Sequence, residues 1–225
     1  MKTLIIFLIA FCSLAAQTII VEKVSGNVEA LIGTSETWVK VKAGQTLNGA
    51  DLISTGKNSS VRLNSSGNKF VLQSNSALGI KSIKKISVKE LLLALAMEEI
   101  RNVPDTKGNS TSRNTAVYGG SVNKVENELV KSSELGIKKL NGAKQLAKNG
   151  YVESAIVVAK ETYRKYPETK NLIGERIYFA DLMLQLSLYN EAAAELAELK
   201  QMNLNKKEAD EVELRLEKIN QELAK

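Results

Sequence analysis

The chain has 225 residues, 44% of them hydrophobic, with 31 Lys+Arg against 25 Asp+Glu and no histidine. Its one cysteine, Cys12, lies in an apolar N-terminal run, so the rest of the chain has neither Cys nor His. That excludes a disulfide framework, thiolate catalysis and zinc sites built on Cys or His, and it removes the side chain best suited to proton transfer near neutral pH.

Met1-Lys2, the apolar run Leu4 to Leu14 and the small residues of Ser13-Leu14-Ala15 predict a removed export signal over residues 1–16. The run is shorter than the roughly 20 residues a bilayer span needs. Phe11 stands before Cys12, where a lipoprotein would carry a small residue. With the signal removed, no stable membrane span is expected, and the predicted location is exported, periplasmic or secreted.

Charge divides the remainder unevenly. Residues 17–123 hold 13 Lys+Arg and 8 Asp+Glu, a net of +5, whereas residues 124–225 hold 17 of each. Lys81, Lys84, Lys85 and Lys89 form the densest basic cluster and are the candidate binding patch. The plain reading is a solvated basic face. The functional one is a surface for anionic glycan, peptidoglycan, lipid headgroups or an acidic partner. Nucleic acid is not expected, because the chain reads as exported and aromatic residues do not interleave with the basic ones.

From Val24 to Ile80, short apolar alternations recur about every ten residues with Gly, Asn or Ser between them, the signal of a small antiparallel β domain. A period of two places Val28, Ala30 and Ile32 on one face, and likewise Val39 with Val41, Val61 with Leu63, Phe70 with Leu72, and Leu78 with Ile80. Ser65-Ser66-Gly67-Asn68 predicts a hairpin turn, with the glycine free to take positive φ. No Gly-rich loop leads from a strand into a helix with a Lys-Ser/Thr ending, so the glycines read as turn residues and not as phosphate cradles.

The ordered set Val24-Ser-Gly-Asn-Val, Trp38-Val-Lys-Val-Lys-Ala-Gly-Gln-Thr-Leu, Asp51-Leu-Ile-Ser-Thr-Gly, Val61-Arg-Leu, Gly67, Phe70-Val-Leu and Ser76-Ala-Leu resembles a FecR domain over about residues 18–82. The resemblance implies an all-β module of the bacterial envelope. Signalling members carry an anti-sigma segment and a membrane span before that module, which this chain replaces with the export signal, so sigma-factor control in cis is not implied. Where further strands would follow, Val88 to Ile100 has Val88, Leu91, Leu92 and Leu95 at helical spacing. This predicts a helix packed on the open face or edge of the sheet, or alternatively one that binds a partner. Residues 102–123 read as a polar linker. Within them, Thr115-Ala-Val-Tyr-Gly-Gly120 faintly resembles a FecR segment and could supply a returning strand.

From Lys124 onward helix formers dominate. Ala143, Gly150, Ala155 and Pro167, then Ala180, Tyr189, Ala192, Leu196 and Leu199, resemble two tetratricopeptide repeats offset by 37 residues. Lys139 and Gly142 stand where the first copy would have core residues. Asn205-Lys-Lys-Glu208 predicts a capping box, and Val212, Leu216, Ile219 and Leu223 give the last helix one apolar stripe. Five helices are expected, with a groove for a peptide or protein, a plain bundle or a self-association surface as the alternatives. Tyr178, Arg176 and Gln185 are candidates to face such a groove.

The predicted fold class is therefore α+β in two parts. A FecR-like β domain with one added helix occupies residues 17–101, a linker or returning strand 102–123, and a helical-hairpin domain 124–225. The expected function is non-enzymatic: an exported adaptor whose β domain contacts a glycan or envelope component and whose helices contact an envelope protein. A periplasmic sensor acting with a separate membrane protein is the alternative. A carboxylate hydrolase is disfavoured, because the adjacent Glu98 and Glu99 would point about 100° apart on a helix. No cofactor, metal or catalytic residue is assigned.

Overall fold

The structure, a computed structural model, describes residues 18–65, 67–102 and 122–225. The export signal over 1–16 and the returning strand at 115–120 fall outside them. Eight strands form two antiparallel four-stranded sheets. One has the order β4 (Thr46–Asn48), β1 (Thr18–Ser25), β6 (Ser60–Ser65), β7 (Asn68–Leu72). The other has the order β3 (Trp38–Lys40), β2 (Val28–Leu31), β5 (Leu52–Thr55), β8 (Ala77–Gly79). Helices α1 (Val88–Asn102), α2 (Val122–Lys148), α3 (Val152–Lys165), α4 (Ile173–Gln185), α5 (Tyr189–Lys200) and α6 (Lys206–Leu223) follow. The α+β class and the five helices after residue 122 thus agree with the sequence.

The period-two faces account for most of the sheet core. Val28, Ala30, Val61, Leu63, Phe70, Leu72, Leu78 and Ile80 are all buried. Ile32 and Val39 are not, for two local reasons. Ile32 lies past the end of β2, and Val39 sits on the three-residue edge strand β3. Ser65 pairs with Asn68 across the β6–β7 hairpin, and Gly67 takes φ of 88°, as the turn requires. Buried Asp51 accepts the backbone N–H of Gly33 (2.8 Å) and of Asn48 (2.7 Å), fixing the loop after β2 to the turn after β4.

Helix α1 does not lie on the sheet. Leu91 and Leu95 bury against α3, and the free edge of β8 is covered by α2 instead. That contact is made at backbone distance, since a Cβ on Gly142 would fall 2.2 Å from the Ala77 carbonyl oxygen. Flanking side chains lock it. Asn141 Nδ2 donates to the Asn75 carbonyl (2.8 Å), Gln145 Oε1 accepts Gln73 N–H (2.9 Å), and Gln145 Nε2 donates to Ser76 Oγ (3.0 Å). Further along, Tyr151 meets the edge of Phe70 at 6.2 Å, and Ser154 Oγ donates to the Lys84 carbonyl (2.6 Å).

Apolar side chains of both sheets and of the helices consequently form one continuous buried cluster. Gly142→Ala is expected to destabilise the whole body by about 1–3 kcal/mol, because the clash is with backbone that can yield only by separating α2 from β8. Urea unfolding followed by tryptophan fluorescence (Trp38, in the sheets) and by helical circular dichroism should give one coincident transition. The variant should shift both signals together.

Candidate functional site

Three lysines converge where the sheets meet the helices. Lys81 comes from the single 3-10 turn after β8 (Ile80–Ser82), Lys139 from α2 and Lys165 from the end of α3. They line a cleft of about 180 Å³ whose walls include Leu52, Leu78 and Glu161. Lys165 Nζ pairs with Glu161 Oε1 at 2.6 Å. Lys81 and Lys139 have no carboxylate at ion-pair distance among the described residues.

Asp51 also lines the cleft, but its oxygens accept the Gly33 and Asn48 backbone N–H groups, so Glu161 is the carboxylate that faces the three lysines' charge. Burial pushes the half-buried Lys139 ammonium down, Glu161 opposes the shift, and Lys165 and Lys81 add to it, leaving Lys139 below the ordinary lysine value. For Glu161, burial pushes upward, but Lys165, Lys139 and Lys81 outweigh it and hold the carboxyl below its usual range. An anion entering this cleft would relieve repulsion among the lysines and be attracted by a field that the low-dielectric walls concentrate.

The patch predicted from sequence divides in two. Lys81, Lys84, Lys85 and Lys89 are all exposed. Only Lys81 faces the cleft; Lys81 and Lys84 also line a neighbouring groove of about 280 Å³ with Met97 and Arg101 of α1. Lys85 precedes α1 and Lys89 lies in its first turn, and the start of the helix is fixed by Ser87 and Glu90. Glu90 Oε2 accepts Ser87 N–H at 2.7 Å and Ser87 Oγ accepts Glu90 N–H at 3.2 Å. Lys139 and Lys165 were missed because they are remote in sequence. The available signal was Lys139 itself, a charged residue at a position the helical pattern reserves for the core.

A second polar cluster lies between α3, α4 and α5. Arg176 and Glu195, each 3% exposed, pair through Nε and Oε1, while Lys160 Nζ takes Oε2 of the same carboxylate. Arg176 Nη2 also reaches Glu198 at 2.7 Å. Arg176 is almost fully buried at the wall of a cleft of about 120 Å³ that Lys160, Glu195 and Glu198 also line, while Tyr178 is half-buried and Gln185 exposed. Glu98 is buried between Arg164 and Arg101, and the neighbouring Glu99 points to solvent. Both border the same cleft of about 120 Å³, where Glu98 is already taken up by its two arginines. Tyr163 hydroxyl is buried with no hydrogen-bond partner among the described residues, and burial together with Glu195 pushes its pKa well above the ordinary value. Among the described residues no group of three or more His, Cys, Asp or Glu could hold a metal, and no helix is long and apolar enough to cross a membrane. Comparison with protein-family models, curated proteins and solved structures returns no match.

Burial pushes the Glu195 carboxyl up, but Lys160 and Arg176 outweigh it and leave it below the ordinary glutamate value. The charged form then contributes stability above the unfolded-chain glutamate range, and this is lost as pH falls through the lower folded-state value. Glu195→Gln should cost about 3–5 kcal/mol near neutral pH, because Arg176 stays buried with only the exposed Glu198 as a carboxylate partner. Its urea midpoint should also fall less steeply than the wild type's between about pH 6 and about pH 3. Parallel pH profiles would show that Glu195 does not carry this dependence.

Proposed function

We propose that the chain is an exported, non-enzymatic binding protein of the bacterial envelope, built from a FecR-like β module and TPR-like helical hairpins. In this reading the lysine cleft takes an anionic group of an envelope polymer, and the helices make protein contacts. The observation that carries it is the convergence of Lys81, Lys139 and Lys165 on one concave site where Glu161 is the carboxylate paired with a lysine, the other lining carboxylate, Asp51, being held by backbone N–H groups. Burying a lysine partway without a paired anion costs free energy that a bound anion would offset. The export-like N-terminus and the resemblances along both halves support the compartment and the module names.

The two departures from the helical repeat pattern fit the same reading. Gly142 makes room for strand β8, and Lys139 lies three residues earlier on nearly the same side of α2. Binding would therefore be a property of the joined body and not of the β half alone. Tests should use the full described body with point substitutions, since cutting after residue 123 would expose the apolar surface that α2 and α3 cover.

The triple variant Lys81→Gln/Lys139→Gln/Lys165→Gln should remain folded and lose most co-sedimentation with purified sacculi. Wild-type binding should weaken as salt rises from about 50 mM to about 300 mM, because the contributing charges are partly exposed. Equal sedimentation of variant and wild type would remove the cleft from the binding function.

A further inference from the structure

Helix α1 is apolar on both sides. Leu91, Leu95 and Glu98 face α3 and are buried. At 100° per residue, Leu93, Ala96, Met97 and Ile100 fall on the opposite face, with Leu92 at its flank. That face is open: Leu93 is 63% exposed, Met97 46% and Ile100 72%. Of the eleven exposed large hydrophobic side chains among the described residues, five lie on this one helix when Val88 and Leu92 are included. A cluster of that kind, unlike scattered apolar residues, marks an interaction surface.

What covers it is indicated by its surroundings. Lys89 lies on the same face one turn before Leu92 and Leu93, and Lys84 and Lys85 precede the helix. Met97 and Arg101 share a groove with Lys81 and Lys84, so the basic cluster and the apolar face are one continuous surface. The nearby acidic groups are Glu90, held by Ser87, Glu98, buried in its ion pairs, Glu161, which lines the same groove and pairs with Lys165, and the exposed Glu99. None of Lys81, Lys84, Lys85 or Lys89 is within ion-pair distance of a carboxylate among the described residues; Lys84 acts on Glu90 only at longer range.

We propose that α1 lies on an anionic lipid surface, with Leu92, Leu93, Met97 and Ile100 entering the headgroup boundary and Lys84, Lys85 and Lys89 contacting lipid phosphates. Apolar burial and attraction to anionic headgroups are the two components of interfacial helix binding, and both are present on this helix. An acidic protein would use the lysines but leaves the breadth of the apolar face unexplained, while a second copy would bring like charges together. The inference is independent of the cleft reading, since it uses different side chains apart from the shared neighbourhood of Lys81.

Residues 17–225, which hold every described element, are the form to use, so that the N-terminal apolar run cannot itself insert. Flotation with phosphatidylcholine vesicles should show little binding, and addition of about 30 mol% phosphatidylglycerol should recruit the protein. Lys85→Gln/Lys89→Gln should reduce partition about thirtyfold, and Leu93→Ser/Ile100→Ser at least about tenfold. Leu214→Ser, equally exposed but on α6, should leave it unchanged. Circular dichroism of each variant should match the wild type, because the substituted side chains are exposed. Absence of recruitment would overturn the proposal. So would loss with the lysine variant alone, which would mean adsorption without insertion, or a lipid-free dimer that Leu93→Ser/Ile100→Ser dissolves.

Discussion

The absence of one methyl group at Gly142 sets how the sheets and helices of this protein meet. Without a Cβ there, α2 approaches β8 closely enough for Asn141 and Gln145 to bond the turn between β7 and β8. That turn is held from the other side by Thr55, whose hydroxyl donates to the Gln73 and Ser76 carbonyls and accepts Ser76 N–H at 3.1 Å. The edge of the sheet is thereby closed by a helix, and backbone groups of the turn leading into it are satisfied by side chains of that helix. Everything placed by α2 and α3 inherits this register, including Lys139 and Lys165 opposite Lys81 and the seat of α1 on α3.

Within the helical half, charge rather than apolar area fixes how the hairpins align. Arg176 brings a planar set of donors to Glu195 and Glu198 at once, which a lysine at that position could not do. Lys160 reaches the other oxygen of Glu195, so one buried carboxylate ties α3, α4 and α5 together. Such a network gives little net stability against an apolar replacement but penalises any sliding of the helices, since each displacement strands a buried charge. Glu98 repeats the device on a smaller scale by tying α1 to Arg164 of α3.

The sequence made much of this legible. Strand faces, the Gly67 hairpin, the termination of α3 before Pro167 and the Asn205–Glu208 capping box all rest on local rules, and the observed bonds of Asn205 and Glu208 are 3.0 Å each way. What escaped was tertiary. Ile32 and Val39 alternate correctly yet stay exposed, because alternation does not say where a strand ends or which strand lies at an edge. Gly142 and Lys139 looked like defects in a helical pattern, and only the presence of β8 and Lys81 alongside them gives the two residues a purpose. A basic cluster of neighbours in sequence was visible, whereas the cleft draws its lysines from positions 58 and 26 residues apart.

Helix α1 shows the same limit in its sharpest form. Val88, Leu91, Leu92 and Leu95 have helical spacing, but so do Leu93, Met97 and Ile100, and a helix with apolar residues on opposite sides offers periodicity no single face to choose. Packing makes the choice. Glu98 can be buried only where Arg164 awaits it, which turns Leu91 and Leu95 toward α3 and leaves Leu93 and Ile100 outward. An ion pair thus decides which apolar face is core and which is free. In an aqueous setting the free face carries a hydration cost that Lys89 and its neighbours do not remove. Covering that face relieves the cost, and the neighbouring lysines add attraction where the covering surface is anionic.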